Sequence, residues 1–451
     1  MYERKICELI WNMSFSTSSL LNADDIYFSE LSSLLYLLKR EWKYAIFMNH
    51  IDDKVKYEEY LYQLFCLIGY SRDIINGYGE RDLSYRMIYV WYSVFPILSI
   101  FSLHTFFLPD NNGMLPYGCW KDFKYFCRLI SNISTRGKLD PLIDKSIQIM
   151  NYQIDMNLSM IDDGFLTKAA IPKETGAFSW LFDRLVLDRD PLLGYKGFSK
   201  KQFRLDISSM KMGDPSPSLC HKEYYDKIFI GEYIRGILFG VSADWSLKWT
   251  KLVASFSGIY HSIPIIVLSA ETTDELLYHM IGYTCLLSCI RGSSRRVLIL
   301  STTPIWLDIS DKCDDIGLLV SEIWSYCKSR RTRTNWELAV NILMDAFSIH
   351  RLVDCPIQLF FFGSYFDLEE LYRLKSMKLS LLILWKIGGE YNEIPKDFDM
   401  ERILFLSGRS SALMRNFYQV YNSGDSYSWN SIILKQSRYD RLRNYFIEVN
   451  A

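Results

Sequence analysis

The chain has 451 residues, too many for one ordinary hydrophobic core and enough for two or three domains. Its residues are 49% hydrophobic and 16% aromatic, which excludes global disorder. With 51 basic and 52 acidic side chains the net charge is −1, so no global field draws the protein to nucleic acid or membrane, and any basic patch is local.

The amino terminus, Met1-Tyr-Glu-Arg-Lys, is charged and lacks the apolar core of a signal peptide. Ten cysteines make no CxxC pair, and Cys285 and Cys289 have no histidine beside them to complete a metal site. These features read as reduced thiols in an intracellular protein.

Helical spacing begins at Leu31 and recurs over Tyr57–Tyr70, Arg81–Phe95, Trp120–Ile133 and Leu142–Met156. Turn signals separate these segments at Asn76–Gly79, Asp110–Gly113 and Thr135–Gly137. Helix after helix with short breaks predicts stacked helical hairpins over residues 1–181, without a strict sequence period. Met87 to Leu108 carries no formal charge and is long enough to cross a bilayer. Pro96 near its middle instead predicts two consecutive buried helices, the second beginning at the proline, and no membrane insertion.

Residues 182–248 read as a loop-rich connection that closes the helical module. Here Lys196, Lys200, Lys201, Arg204 and Lys211 make the most basic long segment, which fits a solvated connection.

Residues 249–425 alternate. Strands are predicted at Lys251–Ser255, Arg296–Ser301, Ile357–Phe362, Leu379–Trp385 and Arg402–Leu406. Helices are predicted between and after them, at Asp274–Ile290, Asp314–Tyr326, Thr334–His350, Leu368–Met377 and Ser411–Val420. This alternation predicts a doubly wound α/β domain, followed at 426–451 by a tail with an amphipathic helix. The turn after the first predicted strand, Ser255-Phe-Ser257-Gly258, would then sit at the carboxyl edge of the sheet, where such folds bind ligands.

Three strings in the helical half stand out: Arg72-Asp-Ile-Ile-Asn-Gly-Tyr-Gly-Glu-Arg81-Asp, Tyr117-Gly-Cys-Trp-Lys-Asp122 and Ala170-Ile-Pro-Lys-Glu174. Their order resembles TROVE-type proteins with a von Willebrand factor A domain from plants and large DNA viruses, and more distantly the Ro autoantigen. The resemblance rests on Arg72, Asp73, Gly77, Gly79, Glu80 and Arg81, then on Tyr117, Gly118, Trp120, Lys121 and Asp122. Tyr78 stands where that family has a lysine. Further matches at Thr334-Asn335, Trp385 and Ser407-Gly408 carry it across residues 55 to 420.

The resemblance implies a HEAT-like helical-repeat module followed by a von Willebrand A-like, Rossmann-like domain. It also implies binding of structured RNA by the helical module and a divalent metal held by a DxSxS loop, a threonine and a later aspartate. Aligned on this chain, those positions are Ser255, Ser257, Ile259, Thr334 and Gly363. Neither expected carboxylate is present, so the metal site reads as degenerate and no cofactor is expected. Thr334-Asn-Trp-Glu337 also matches a capping box, a sufficient structural reason for that threonine.

Lys328, Arg330, Arg331 and Arg333 lead into Thr334 and form a candidate anion- or partner-binding group, against the alternative of a solvated loop. Lys121, Lys124 and Arg128 share a helical face and, with Lys200, Lys201 and Arg204, are the candidate RNA contacts. Enzyme patterns are weak. The six histidines are dispersed, no HxxxH or GxSxG occurs, and Cys220-His221 are adjacent, which points their side chains apart. The expectation is a non-catalytic scaffold for protein partners, intracellular and as a viral component virion-associated. The alternative is a structured-RNA-binding protein.

Overall fold

The computed structural model describes residues 2–13, 21–73, 77–107, 117, 122–162, 180–181, 184, 230–240, 244–256, 262–290, 294–349, 357–377, 379–389, 391–423 and 439–450. It is a mixed α/β structure: a helical region precedes a six-stranded, mostly parallel sheet with its helices.

Two compact units divide the chain differently from the boundaries expected at 181, 248 and 425. A sheet unit comprises Met1–Glu30 and Lys227–Lys435, and a helical unit comprises Leu31–Asp226 and Gln436–Ala451. The first helix, α1 (Tyr2–Trp11), therefore belongs with the sheet.

In the helical unit, α2 (Leu21–Phe47, from Leu31 onward), α3 (Ile51–Arg72), α4 (Arg81–Val94), α5 (Pro96–Phe107), α6 (Asp122–Ile133) and α7 (Pro141–Asp162) follow one another. Pro96 opens α5 as expected, because a first-turn residue has no intrahelical partner for an N–H. Aromatic pairs fill the spaces between helices: Phe65 lies 5.3 Å from Trp91, and Tyr85 meets Phe126 edge-on at 5.4 Å. The tail helix, Asp440–Asn450, packs on α3, with Phe446 against Tyr62 and Phe65. No described helix is long and apolar enough to cross a membrane.

The sheet unit continues with α8 (Ile230–Phe239) and α9 (Asp244–Ala254). The strand expected at Lys251–Ser255 is instead the end of α9. Leu252-Val-Ala is an apolar run too short to separate strand from buried helix by pattern alone. The strands are β1 (Ser262–Val267), β2 (Arg296–Leu300), β3 (Ile305–Asp308), β4 (Ile357–Gly363), β5 (Leu379–Lys386) and β6 (Ile403–Ser407). Their order in the sheet is β3-β2-β1-β4-β5-β6, with only β3 antiparallel to its neighbour.

β1 is central despite Pro264. Its pairing with β2 begins at Ile265–Leu298, so the proline precedes that ladder. Between the strands lie α10 (Asp274–Cys289), α11 (Ile316–Lys328), α12 (Trp336–Ile349) and the short α13 (Leu368–Tyr372), and α14 (Ser411–Ser423) follows β6.

Tyr283 of α10 stacks on Phe362 at 5.4 Å and approaches Trp385 at 4.5 Å, while Phe417 of α14 meets Phe360. The β5–β6 connection has no helix among its described residues. α1 fills that place. Its Trp11 lies 4.9 Å from Phe405 and 5.7 Å from Phe366. Fully burying such a side chain stabilises by roughly 2–3 kcal/mol or more.

Candidate functional site

The strand order reverses between β1 and β4: β2 follows on one side, and β5 on the other. The crevice at their carboxyl ends is where an open α/β sheet binds ligands. Ser255 is not there. It ends α9, with Oγ donating to the Leu252 carbonyl at 2.6 Å, while Ser257 and Ile259 lie outside the described residues. The loop that leaves β1 is Leu268–Thr273, fourteen or so positions past the expected turn.

Hydroxyl groups line this crevice. Ser269 Oγ lies 3.0 Å from Thr272 Oγ1 and 3.4 Å from Ser364 Oγ, which follows β4. Thr272 Oγ1 also accepts from the Ser269 amide at 2.9 Å. Thr302 Oγ1, after β2, is 2.7 Å from Thr332 Oγ1. Thr334 is buried and donates to the Leu268 carbonyl at 2.8 Å and the Leu300 carbonyl at 3.3 Å, tying the ends of β1 and β2 together.

The capping-box reading of Thr334 is therefore corrected. Asn335 caps α12, its Oδ1 accepting from the Leu338 amide at 3.1 Å. Thr334 sits one residue earlier, where its hydroxyl donates to the Leu268 carbonyl at the end of β1.

Apart from Glu271, the carboxylates nearby are engaged. Asp274 and Glu275 open α10, where negative charge suits the helix dipole. Arg331 pairs with Asp274 and reaches the Thr272 carbonyl at 3.3 Å, while Arg409 pairs with Glu275 at 2.7 Å. Asp367 caps α13 through the Glu370 amide at 3.2 Å. Glu271 is the exposed acid of the loop. Gly363 ends β4 fully packed: a Cβ there would stand 2.8 Å from Val267 Cβ. Among the described residues no group of three or more His, Cys, Asp or Glu is arranged to hold a metal ion.

Of the basic segment, Arg331 reaches the crevice loop, while the other cations lie along the surface beside it. Lys328 and Arg331 lie over the Trp324 ring at 5.8 and 5.7 Å, Arg330 lies over Tyr326 at 5.2 Å, and Arg333 is exposed. Such cation–ring contacts contribute about 0.5–1 kcal/mol each at exposed sites.

In the helical unit the unusual strings converge although they are far apart in sequence. Arg72 and Asp122 form a buried two-point ion pair, Nε to Oδ1 at 2.9 Å and Nη2 to Oδ2 at 3.0 Å. Tyr85 donates to the same carboxylate, and Arg81 stands 3.6 Å from it. Burial pushes the Tyr85 phenol well above its usual range, and the Asp122 charge adds to the shift.

Asp73 accepts from Tyr439 of the tail segment at 3.1 Å, and Tyr439 stacks on Tyr117 at 5.7 Å. Gly77 is required by space, since a Cβ would lie 2.2 Å from the Tyr70 carbonyl oxygen, whereas Gly79 is required by its φ of +78°. The Glu80 amide donates to the Ser71 carbonyl at 2.8 Å, closing the turn. Gly118, Trp120 and Lys121 lie outside the described residues.

Of the candidate RNA contacts, Lys200, Lys201 and Arg204 also lie outside the described residues. Lys124 was expected on a solvated face with Arg128. It is 6% exposed, its ammonium 5.6 Å from the Tyr125 ring, because the first turn of α6 is packed against its neighbours. Arg128 is exposed, and the Arg81 guanidinium lies 4.3 Å from the same ring.

Ser269, Thr272, Thr302, Thr332 and Ser364 were not singled out by sequence. The available signal was a small polar residue directly after an apolar strand run, as in Ile-Val-Leu268-Ser269 and Phe362-Gly-Ser364. A cavity of about 620 Å³ lies elsewhere: Trp306, Phe347, Arg296 and Asp308 line it near the start of β2 and the end of β3. Comparison with protein-family models, curated proteins and solved structures finds no match to this chain.

Proposed function

We propose that this protein is a non-catalytic scaffold that works by binding other proteins. In this reading a HEAT-like helical module accompanies a von Willebrand A-like unit that has lost dependence on a metal ion. The sheet order and the antiparallel edge strand β3 support that kinship, as do the strings Arg72–Arg81 and Tyr117–Asp122.

One observation carries the proposal. The side chains at the β1/β4 crevice are hydrogen-bonded to one another or to backbone, and Asp274 and Glu275 are each held by an arginine. A divalent ion needs several oxygens with at least one carboxylate turned towards it, so binding here would require breaking those pairs. An interaction surface has no such requirement. The basic segment Lys328–Arg333 and the exposed Glu271 then form the rim of a partner-binding edge.

A thermal-unfolding series tests this. Millimolar Mg²⁺ is expected to leave the melting temperature within about one degree of an ionic-strength-matched control. A rise of several degrees would overturn the loss of metal dependence. A native pull-down analysed for protein and RNA tests the partner class.

Structured-RNA binding is the second reading. It is favoured by the Arg81–Tyr125 contact beside the exposed Arg128, a pairing that can hold phosphate and stack a base. Submicromolar binding of structured RNA that weakens steeply with salt would establish it over the first.

A further inference from the structure

The turn between α2 and α3, in the helical unit, exposes an unusual amount of apolar surface. Within twelve residues, Tyr44, Ile46, Phe47, Met48, Ile51 and Val55 are all exposed, Phe47 at 84% and Ile51 at 67%. Single exposed apolar residues are ordinary, but a contiguous group of this kind marks an interaction surface. The backbone presents it firmly. Asn49 takes a left-handed φ of +56°, and the His50 amide donates to the Ala45 carbonyl at 2.9 Å, closing the turn. Trp42 Nε1 donates to Glu58 across the hairpin at 3.1 Å.

Charge decides what would cover it. Between Arg40 and Glu59 both signs occur in near balance: Arg40, Lys43, Lys54 and Lys56 against Glu41, Asp52, Asp53, Glu58 and Glu59. An anionic lipid surface or a nucleic acid calls for a predominance of cations. Several of these are paired within their own helix, Arg40 with Glu41 and Lys54 with Glu58. Lys43 on α2 and Asp52 on α3 are exposed and make no ion pair with a described residue. A surface that is apolar at its centre, with Lys43 on one helix and Asp52 on the other left open to a second copy, can meet itself across a two-fold axis. A chain with net charge −1 also meets little long-range repulsion from a second copy.

We infer that the α2–α3 tip is a homotypic interface: two copies pack Phe47 and Ile51 against each other, and Lys43 of each copy meets Asp52 of the other. This does not rest on the carboxyl-edge reading, since the tip belongs to the other unit and requires no external partner.

Sedimentation velocity of the full chain over about 1–100 μM, a range spanning ordinary dimer affinities, tests it. The expected result is a concentration-dependent shift from one to two chain masses. Phe47→Ser and Ile51→Lys should weaken association at least tenfold without lowering the melting temperature, because both side chains are exposed. Lys43→Glu should weaken it, and Lys43→Glu combined with Asp52→Lys should restore it.

Cross-linking of an equal mixture of ¹⁴N- and ¹⁵N-labelled chains should give mixed-isotope links between the tips through Lys43 and Lys54. A single chain mass up to 100 μM, or association that Phe47→Ser, Ile51→Lys and Lys43→Glu all leave unchanged, overturns the inference. So do links from the tip found only within one isotope, which would show that another part of the same chain covers it. Co-sedimentation with phosphatidylserine vesicles that is lost in Phe47→Ser, with no dimer in solution, would assign the surface to lipid instead.

Discussion

Arg72 and Asp122, fifty positions apart, meet as a fully buried two-point ion pair, to which Tyr85 adds a third hydrogen bond. The pair joins the end of α3 to the start of α6, and both residues come from strings that the sequence already set apart. A buried pair gains little over an apolar replacement of both partners, but breaking one side strands the other charge. Asp122→Ala should therefore cost about 3–5 kcal/mol, and Arg72→Met with Asp122→Leu substantially less than either single change. Denaturant midpoints of the three variants, at unchanged transition slope, check this non-additivity.

A second prediction concerns Lys386. Its ammonium is 1% exposed at the end of β5, and it donates to Asn12 Oδ1 at 2.6 Å and lies 5.4 Å from the Trp11 ring. Because Trp11 of α1 and Asn12 just after it supply both groups, this segment acts as the missing crossover helix of the sheet. Trp11→Ala should destabilise the sheet unit by about 3–5 kcal/mol through the cavity it leaves. Removing residues 2–13 should expose the apolar face of β5 and β6, read as increased binding of a hydrophobic dye and faster hydrogen exchange in those strands.

The pH dependence of stability follows from His279. This side chain of α10 is 5% exposed, and its Nδ1 accepts from the Gly231 amide at 3.2 Å. Burial, helped by the Arg409 charge, lowers its pKa from 6.5 to about 3. The folded protein thus keeps His279 neutral while the unfolded chain protonates it. Its contribution is intact above about pH 6.5 and is lost as pH falls towards 3, with a slope of about 1.4 kcal/mol per pH unit at most. His279→Gln should remove that slope between pH 6 and 4, measured as the difference in unfolding free energy between variant and parent.

Gly363 gives a test of why the crevice lacks a carboxylate at the end of β4. With Val267 Cβ 2.8 Å from any added Cβ, even Gly363→Ala should cost about 1–3 kcal/mol by overpacking. Gly363→Asp should cost more, and it should not confer a Mg²⁺-dependent rise in melting temperature. Recovery of full stability with Asp in the presence of Mg²⁺ would show that the strand end can open to accept a ligand.

How far the sequence could be read varies with the kind of information each element needs. The long helices follow from periodicity, and β2, β4, β5 and β6 follow from continuous apolar runs such as Leu359-Phe-Phe-Phe362. β1 is not among the predicted strands; Pro264 is unfavourable inside a ladder, and pairing with β2 that starts at Ile265 makes it tolerable. Missing β1 moved the expected ligand loop to Ser255 and concealed Ser269, Thr272 and Ser364. β3, four residues at the antiparallel edge, is too short to give a pattern.

The amino-acid sequence by itself determined the succession of helices and then of alternating strands and helices, because those depend on local spacing of apolar side chains. It also set apart Arg72, Gly77, Gly79 and Asp122, whose chemistry is unusual at any place in a chain. Only the tertiary structure decided what these residues do. Whether a carboxylate is free to hold a ligand or is consumed by an arginine depends on contacts across tens or hundreds of positions, as with Asp274 and Arg331 or Glu275 and Arg409. The same reason placed α1 on a sheet encoded some 250 residues later. Burial and pairing are properties of proximity in space, and local pattern does not carry them.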